Sequence, residues 1–530
     1  MKPKIFFLLI TLSTVTFSQT QKPMDSRAAV SDFYLRFTPN NLSFWFGSNG
    51  DMGYDPYRGN SGGEWIAGSK KFFCYEAGVV FGGMKNGKLH VGGSTYRHGL
   101  QAGEIMPSGK PADRNDSTYR IYHIKRADAK PPHSKDYIDW KTRSGALLDS
   151  TGEPRFFGDE QIWFVSNDLD TSRTKNLYGT NPIGLEIQTL AWGNAAPSQF
   201  KDVIFVQQLI INKSDADLKD AYICLWADFD LGDANDDFVG IDTSLQLSYC
   251  FNASANDPVY GTPPACGFLF LRTPTISSSK DTVMSNGMLR AGKKYSPLSG
   301  YTFYEGASAV YKDPEMGVES GAREFYENFK GIIWNGGPFI DPTSGHQTRF
   351  CLAGDPVTKR GWVDGIVASG GDRRSVICAG PFQIAARDTQ EFTYAILVAR
   401  DVERLTSITK LRNLSRKILT FFPDDFHFEE YVKPKTYELY LRQNFPNPFG
   451  DGSPSSIAST LIRYSIPLET TAAVRIRNVF GHIVETLADK VHPPGEYSVS
   501  WAAPSLPSGL YLVELQALGV TIQRKMMVVK

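Results

Sequence analysis

The segment Val203 to Ile211 (VIFVQQLII) constrains the fold more than any other part of the chain. It is long, β-branched and almost wholly apolar, too short for a membrane span and too rich in β-branched residues for a surface helix. A polar stretch, NKSDADLKD, follows, and a second apolar run spans Tyr222 to Ala227. The pattern predicts a hairpin with a long connection, both arms central in a sheet. Gln161 to Val165, Gly184 to Trp192 and Glu391 to Val398 (EFTYAILV) read as further strands. With 48 Gly and 31 Pro in 530 residues, turns are frequent enough to support a mostly β chain of about three domains.

One amphipathic helix stands out. From about Glu403 to Phe422, Leu405, Ile408, Leu411, Ile418, Leu419 and Phe422 form a stripe, with Asp401 as the expected N-cap and Pro423 as the stop. Such a helix after many strands is expected to brace a β-sandwich.

The N-terminus, MKPKIFFLLITLSTVTFSQ, places Lys2 and Lys4 before an apolar run from Ile5 to Phe17. Thr16 and Ser18 supply small residues for cleavage before Gln19, so residues 1–18 read as a signal peptide. Six cysteines would then enter an oxidising compartment. Cys250 and Cys266 could close a loop across Pro263 and Pro264, whereas Cys224, inside YICLW, is expected to be a buried free thiol.

The last ninety residues carry short strands at regular spacing: Thr460 to Ile466, Ala473 to Asn478, His482 to Leu487, Tyr497 to Trp501, Leu510 to Gln516 and Thr521 to Val529. This spacing indicates a small immunoglobulin-like sandwich, with Trp501 and Tyr511 in its core. The strings QNFPNPF (Gln443–Phe449), IRYSIP, IRNVFGHIVETL, GEYSVSWAA, LPSGLYLVEL and RKMMVVK occur in order to the last residue. Together they resemble the C-terminal sorting domain (type A) of the Bacteroidetes-type type IX secretion system, itself similar to the immunoglobulin-like module of flagellar hook-capping proteins. The resemblance implies export through the outer membrane, removal of this module and attachment of the passenger to surface lipopolysaccharide. It covers about one sixth of the chain and carries no information on the passenger's chemistry. Two further strings, WADFDLGDANDDFVGIDTSLQLSYCFNA (Trp226–Ala253) and GPFQIAARDTQEFTYAILVARD (Gly380–Asp401), resemble a secreted passenger family joined to such modules, and that likeness brings no mechanism. The expected organisation is a signal peptide at 1–18, a β-rich passenger at 19–432 of one or two sandwich units, a linker at 433–441 and the sorting module at 442–530.

Candidate chemistry concentrates in Asp228 to Asp242. Asp228, Asp230, Asp233, Asp236, Asp237 and Asp242 lie within fifteen residues that contain no Lys or Arg. Carboxylates so close repel one another, and calcium, which takes oxygen ligands from flexible Asp-rich loops, is the expected cation. The alternative is a solvated acidic loop with Asx-turns. Asp159-Glu160, before QIWFV, could be half of a glycosidase pair or a local cap at the start of a strand. GGMKNGKL (Gly82–Leu89) lacks the Ser/Thr of a phosphate loop, and its Asn86-Gly87 predicts a type I′ hairpin instead. GNSGG (Gly59–Gly63) has no histidine upstream in the mature chain to serve a serine nucleophile. Trp163, Trp192 and Trp226 are expected in the core, whereas Trp45 and Trp65 flank a Gly-rich loop and stay open to a ligand role.

Basic and acidic residues balance at 56 each, which excludes a nucleic-acid partner. The leading expectation is an exported, surface-attached β-sandwich that binds without catalysis and has secretion machinery, lipopolysaccharide and a glycan as partners. The rival is an exported carboxylate-dependent hydrolase of glycans using Asp159, Glu160 or the Asp228–Asp242 loop.

Overall fold

A computed structural model describes residues 33–96, 99–195, 198–306, 308–422, 437–450, 458–502 and 506–530. The signal peptide at 1–18, the helix stop at Pro423 and residues 433–436 of the linker at 433–441 lie outside the described residues. The chain divides into two compact units, Met1–Glu430 and Tyr431–Lys530.

The first unit is built on two large antiparallel sheets. One runs Tyr122–Lys125, Glu160–Asn167, Leu185–Gly193, Val203–Asn212, Thr389–Ala399, Ala265–Arg272, Leu247–Asn252 and Asp237–Asp242, with Gln101–Ala102 pairing Glu160–Asn167 at one side. The other has five strands in the order Leu298–Tyr304, Arg373–Ile384, Leu218–Phe229, Glu76–Lys85 and Lys88–Gly93. Their facing sides merge in one core, where Ile204 and Val206 of the first sheet join Ile223 and Leu225 of the second. Each sheet is also covered on its outer side. Helix Arg404–Phe421 sets Ile408, Leu411 and Ile418 against Trp192, Phe205 and Leu397, and helix Glu319–Phe329 packs Phe325 and Phe329 with Trp226 and Val376.

This double cover explains why the central strands lack an apolar–polar alternation: neither face meets water. It also corrects the expected hairpin. Val203–Asn212 pairs with Leu185–Gly193 and Thr389–Ala399, whereas Leu218–Phe229 pairs with Glu76–Lys85 and Arg373–Ile384. The two apolar runs are central, as expected, but in different sheets. The intervening loop crosses from one layer to the other, and the Asn212 amide holds the crossing by donating to the carbonyls of Ala216 (2.8 Å) and Ile384 (3.2 Å).

The brace helix forms where its stripe predicts. Its N-cap is Glu403 rather than Asp401; the Thr406 hydroxyl accepts from the Glu403 N–H at 3.3 Å, so the helix begins two residues later. Four α-helices are described where the sequence pattern singled out one. The Lys85–Lys88 turn is the expected tight hairpin, with Asn86 and Gly87 both at positive φ.

Cys224 is not a free thiol. It is the register partner of Cys378 on the neighbouring strand, with Cα atoms 4.0 Å apart, and the two form a disulfide. Their separation of 154 residues hid the pair from the sequence. Cys250 and Cys266 are also register partners, yet they remain buried free thiols beside Cys74 and Cys351.

The second unit stacks Tyr440–Leu441, Ser459–Ile466 and Gly495–Ala502 against Ile483–His492, Thr470–Asn478, Gly509–Ala517 and Val520–Val528. Trp501 and Tyr511 sit in its core with Phe449, Val474 and Val513.

The disulfide generates a prediction. Closing so long a loop should stabilise the first unit by about 2–5 kcal/mol, so Cys224→Ala/Cys378→Ala should lower the urea midpoint by that free energy divided by the m-value. Alkylation of the denatured, unreduced wild type should label Cys74, Cys250, Cys266 and Cys351 and spare this pair.

Candidate functional site

The five-stranded sheet ends in a charged row. Register places Glu76, Asp228, Arg374 and Tyr304 side by side on four adjacent strands, one strand-end beyond the apolar row of Gly78, Trp226, Val376 and Thr302. Residues two apart along a strand share a face, so the sheet surface changes within one step from a buried tryptophan to a carboxylate. Tyr96 lies over Trp226 with ring centroids 4.4 Å apart, and its hydroxyl donates to Asp313. Arg374 faces Asp313 at 3.6 Å and Asp372 at 3.7 Å. Asp230 accepts from the Ser61 hydroxyl.

One guanidinium thus stands among five carboxylates, of which Asp228 is largely buried and Asp372 faces solvent. Burial pushes Asp228 well above the usual carboxylate range, and repulsion from Asp372, Asp230 and Glu76 adds to it against the opposing pull of Arg374. One of its oxygens has no hydrogen-bond partner. Asp230 is pushed up to about 6, first by burial and then by Asp372, against the Ser61 hydrogen bond. Burial likewise raises Asp313. Upward shifts shared by several carboxyls in one cluster concentrate at functional sites.

An aromatic surface adjoins the row. Tyr54–Asp55 and Asn60–Ser61 form a miniature hairpin whose tip is an Asx-turn, with Asp55 accepting from the N–H groups of Tyr57 (3.0 Å) and Arg58 (3.1 Å). Tyr57 is 77% exposed and leans on half-buried Trp45, centroids 5.5 Å apart. Tyr54 meets Tyr75 edge-on at 5.7 Å. Gly62 fixes this approach: a Cβ there would fall 2.5 Å from Trp45 Cδ1 and 2.3 Å from the Gly53 carbonyl oxygen. Burial and then the Tyr54 hydroxyl push Tyr75 up to about 12, so both tyrosines stay neutral at physiological pH.

No protein family matches the chain, and no curated protein matches it. Among solved structures it is similar to a polysaccharide lyase at 9% identity, over 65% of this chain and 34% of that one, with a TM-score of 0.19. It is also similar, at 11% identity and a TM-score of 0.14, to PorZ, an essential bacterial surface component of the type IX secretion system of Porphyromonas gingivalis. That match covers 95% of this chain and 58% of the other. The chain therefore spans less than two thirds of either protein, and at such TM-scores neither likeness carries over a fold or an activity.

Of the six aspartates singled out in the sequence, Asp228 and Asp230 join the row. Asp233 caps the short turn Ala234–Asp236, accepting from the Asn235 N–H at 3.1 Å. Asp236 accepts from Asn252 (2.6 Å) and the Ser254 N–H (2.9 Å). Asp237 is fully buried, accepts from the Leu231 N–H at 3.2 Å and is pushed well above the carboxylate range by burial. Asp242 pairs with Arg412 of the brace helix at 3.2 Å. Among the described residues no three His, Cys, Asp or Glu side chains stand where one metal ion could hold them together. Glu160 pairs with His123 (3.1 Å) and Lys125 (2.9 Å), and Asp159 accepts from the Ala195 N–H at 2.9 Å, so this pair ties strand ends together. Glu76, Arg374, Asp313, Asp372 and Tyr96 escaped the sequence reading because they meet only through strand register and a returning loop. The one local signal was Arg373-Arg374 opening an apolar strand, and its two arginines serve different faces: Arg373 is fully buried on Asp364 at 3.1 Å, and Arg374 joins the row.

Asp230 yields a pH prediction. Its folded pKa lies above the unfolded value, so the folded state holds the proton longer and stability falls as pH rises from about 4 to 6. Asp230→Asn should therefore stabilise the protein above pH 6 by up to about 3 kcal/mol, and the gain should vanish below about pH 4. Thermal melts across pH 3.5–8 measure this directly.

Proposed function

We propose that this chain is an exported cell-surface protein, carried across the outer membrane by its C-terminal sandwich through the type IX route. The passenger is then retained at surface lipopolysaccharide, where it binds and does not catalyse. The observation that carries the export reading is that all the sorting strings fall within one compact unit. The ordered sorting strings begin at Gln443, and Tyr431–Lys530 is a compact unit with its own core. A separable unit suits a tag that is recognised and then removed. No helix among the described residues is long and apolar enough to cross a membrane. The passenger's acidic row, with aromatic rings beside it, supports a binding role.

A second reading, a carboxylate-dependent glycan hydrolase, is favoured by one observation: Asp228 and Asp230 both carry raised pKa values in one cluster. It would relocate the chemistry from Asp159-Glu160 to the row.

Deleting residues 441–530 in a bacterium with a working type IX system should leave the passenger in the periplasm, read by fractionation and by its protection from added protease. Surface display of the truncated chain would overturn the export reading. Release of reducing ends from glycans, abolished by Asp228→Asn, would replace binding with hydrolysis.

A further inference from the structure

We infer that the Tyr54–Ser61 hairpin and the carboxylates beside it form a binding patch for an uncharged polysaccharide. This rests on the binding half of the function proposed above and names its ligand class.

The patch is continuous. Tyr57 leans on Trp45, Trp45 packs against Gly62, and Ser61 beside it donates to Asp230. Tyr54 and Tyr75 occupy the flank toward Glu76. Single exposed apolar side chains are ordinary on a surface. Here, however, an exposed tyrosine is stacked on a tryptophan, and the loop that presents it is fixed by an Asx-turn and by a glycine that admits no side chain. Rigid presentation of an aromatic face lowers the entropy lost on binding.

The polar half of the patch selects the ligand. A sugar ring offers an apolar C–H face for an aromatic ring and hydroxyl donors around its edge. Asp230 and Asp372, the latter with a side chain 61% exposed, supply acceptors for those hydroxyls. Five carboxylates against the single Arg374 would repel a polyanion. A polycation fits less well than a neutral chain. Arg374 already answers Asp313 and Asp372, and the Ser61 hydroxyl answers Asp230, so three of the five carboxylates are met within the protein.

The desolvated carboxyls also fit this use. Each raised pKa marks a carboxylate that the fold holds at a cost in stability, and one Asp228 oxygen lacks a partner. Carboxyls kept at that cost beside the Tyr54–Ser61 hairpin serve a role other than stability.

The test is affinity electrophoresis of the mature full chain in native gels containing a soluble β-glucan, a galactomannan or a dextran, with alginate and glycol chitosan as charged counterparts. Retardation is expected in at least one neutral gel and in neither charged one. Tyr57→Ala, at an exposed position where folding is not at stake, should weaken the retardation by about tenfold, as loss of one aromatic contact implies. Trp45→Ala should do the same, and Leu289→Ala, an exposed apolar residue on the Met288–Tyr295 strand, should change nothing. Free mobility in all three neutral gels, retardation only by alginate or glycol chitosan, or undiminished retardation of Tyr57→Ala would each overturn the inference. The outcomes separate from those of the proposed function. Retardation accompanied by release of reducing ends would keep the patch and remove the non-catalytic reading, and mislocalisation bears on export alone.

Discussion

The first unit depends on burying its central strands on both faces. Val203–Asn212 and Leu218–Phe229 each contribute one side to the shared core and the other to a helix-covered layer. Each large side chain so buried stabilises the fold by roughly 1.5–3 kcal/mol, summed over two sheets and their covers. The helices, the cross-layer loop at Asn212 and the Cys224–Cys378 link all act on this arrangement. Two covered sheets also explain the composition, since strands without a wet face need no polar alternation.

The acidic row is where that rule stops. The same face of the five-stranded sheet that carries Trp226 ends, one step further along the strands, in Glu76, Asp228 and Arg374. The apolar cover gives way there to Asp313, Tyr96 and the short Tyr54–Ser61 hairpin. The charges consequently lie against low-dielectric protein on one side, which raises the carboxyl pKa values and strengthens every interaction made with them. Buried ion pairs elsewhere, Arg373–Asp364 and Arg272–Glu391, are matched one to one and hold elements together. The row differs because its carboxylates outnumber its cation.

Local patterns made much of this legible. The apolar runs marked strands to within a few residues, the stripe from Leu405 to Phe422 marked the brace helix, and Asn86-Gly87 marked a tight hairpin. In the C-terminal unit, Gly and Pro spacing marked every long strand, and Trp501 and Tyr511 proved to be core. The acidic loop drew attention to Asp228 and Asp230, because like charges at close spacing need an explanation wherever they fold. It did not separate them from Asp233, Asp236, Asp237 and Asp242, which turn toward backbone N–H groups, Asn252 or Arg412.

By itself, then, the sequence determined which segments extend, where acid accumulates and that the last ninety residues form a second kind of β unit. Only the tertiary structure decided that Val203–Asn212 and Leu218–Phe229 part into different sheets, that Cys224 meets Cys378, and that Asp228 stands between Glu76 and Arg374. The reason is physical. A strand buried on both faces carries no mark of which partner it pairs with, and register fixes neighbours through hydrogen bonds between segments far apart in the chain.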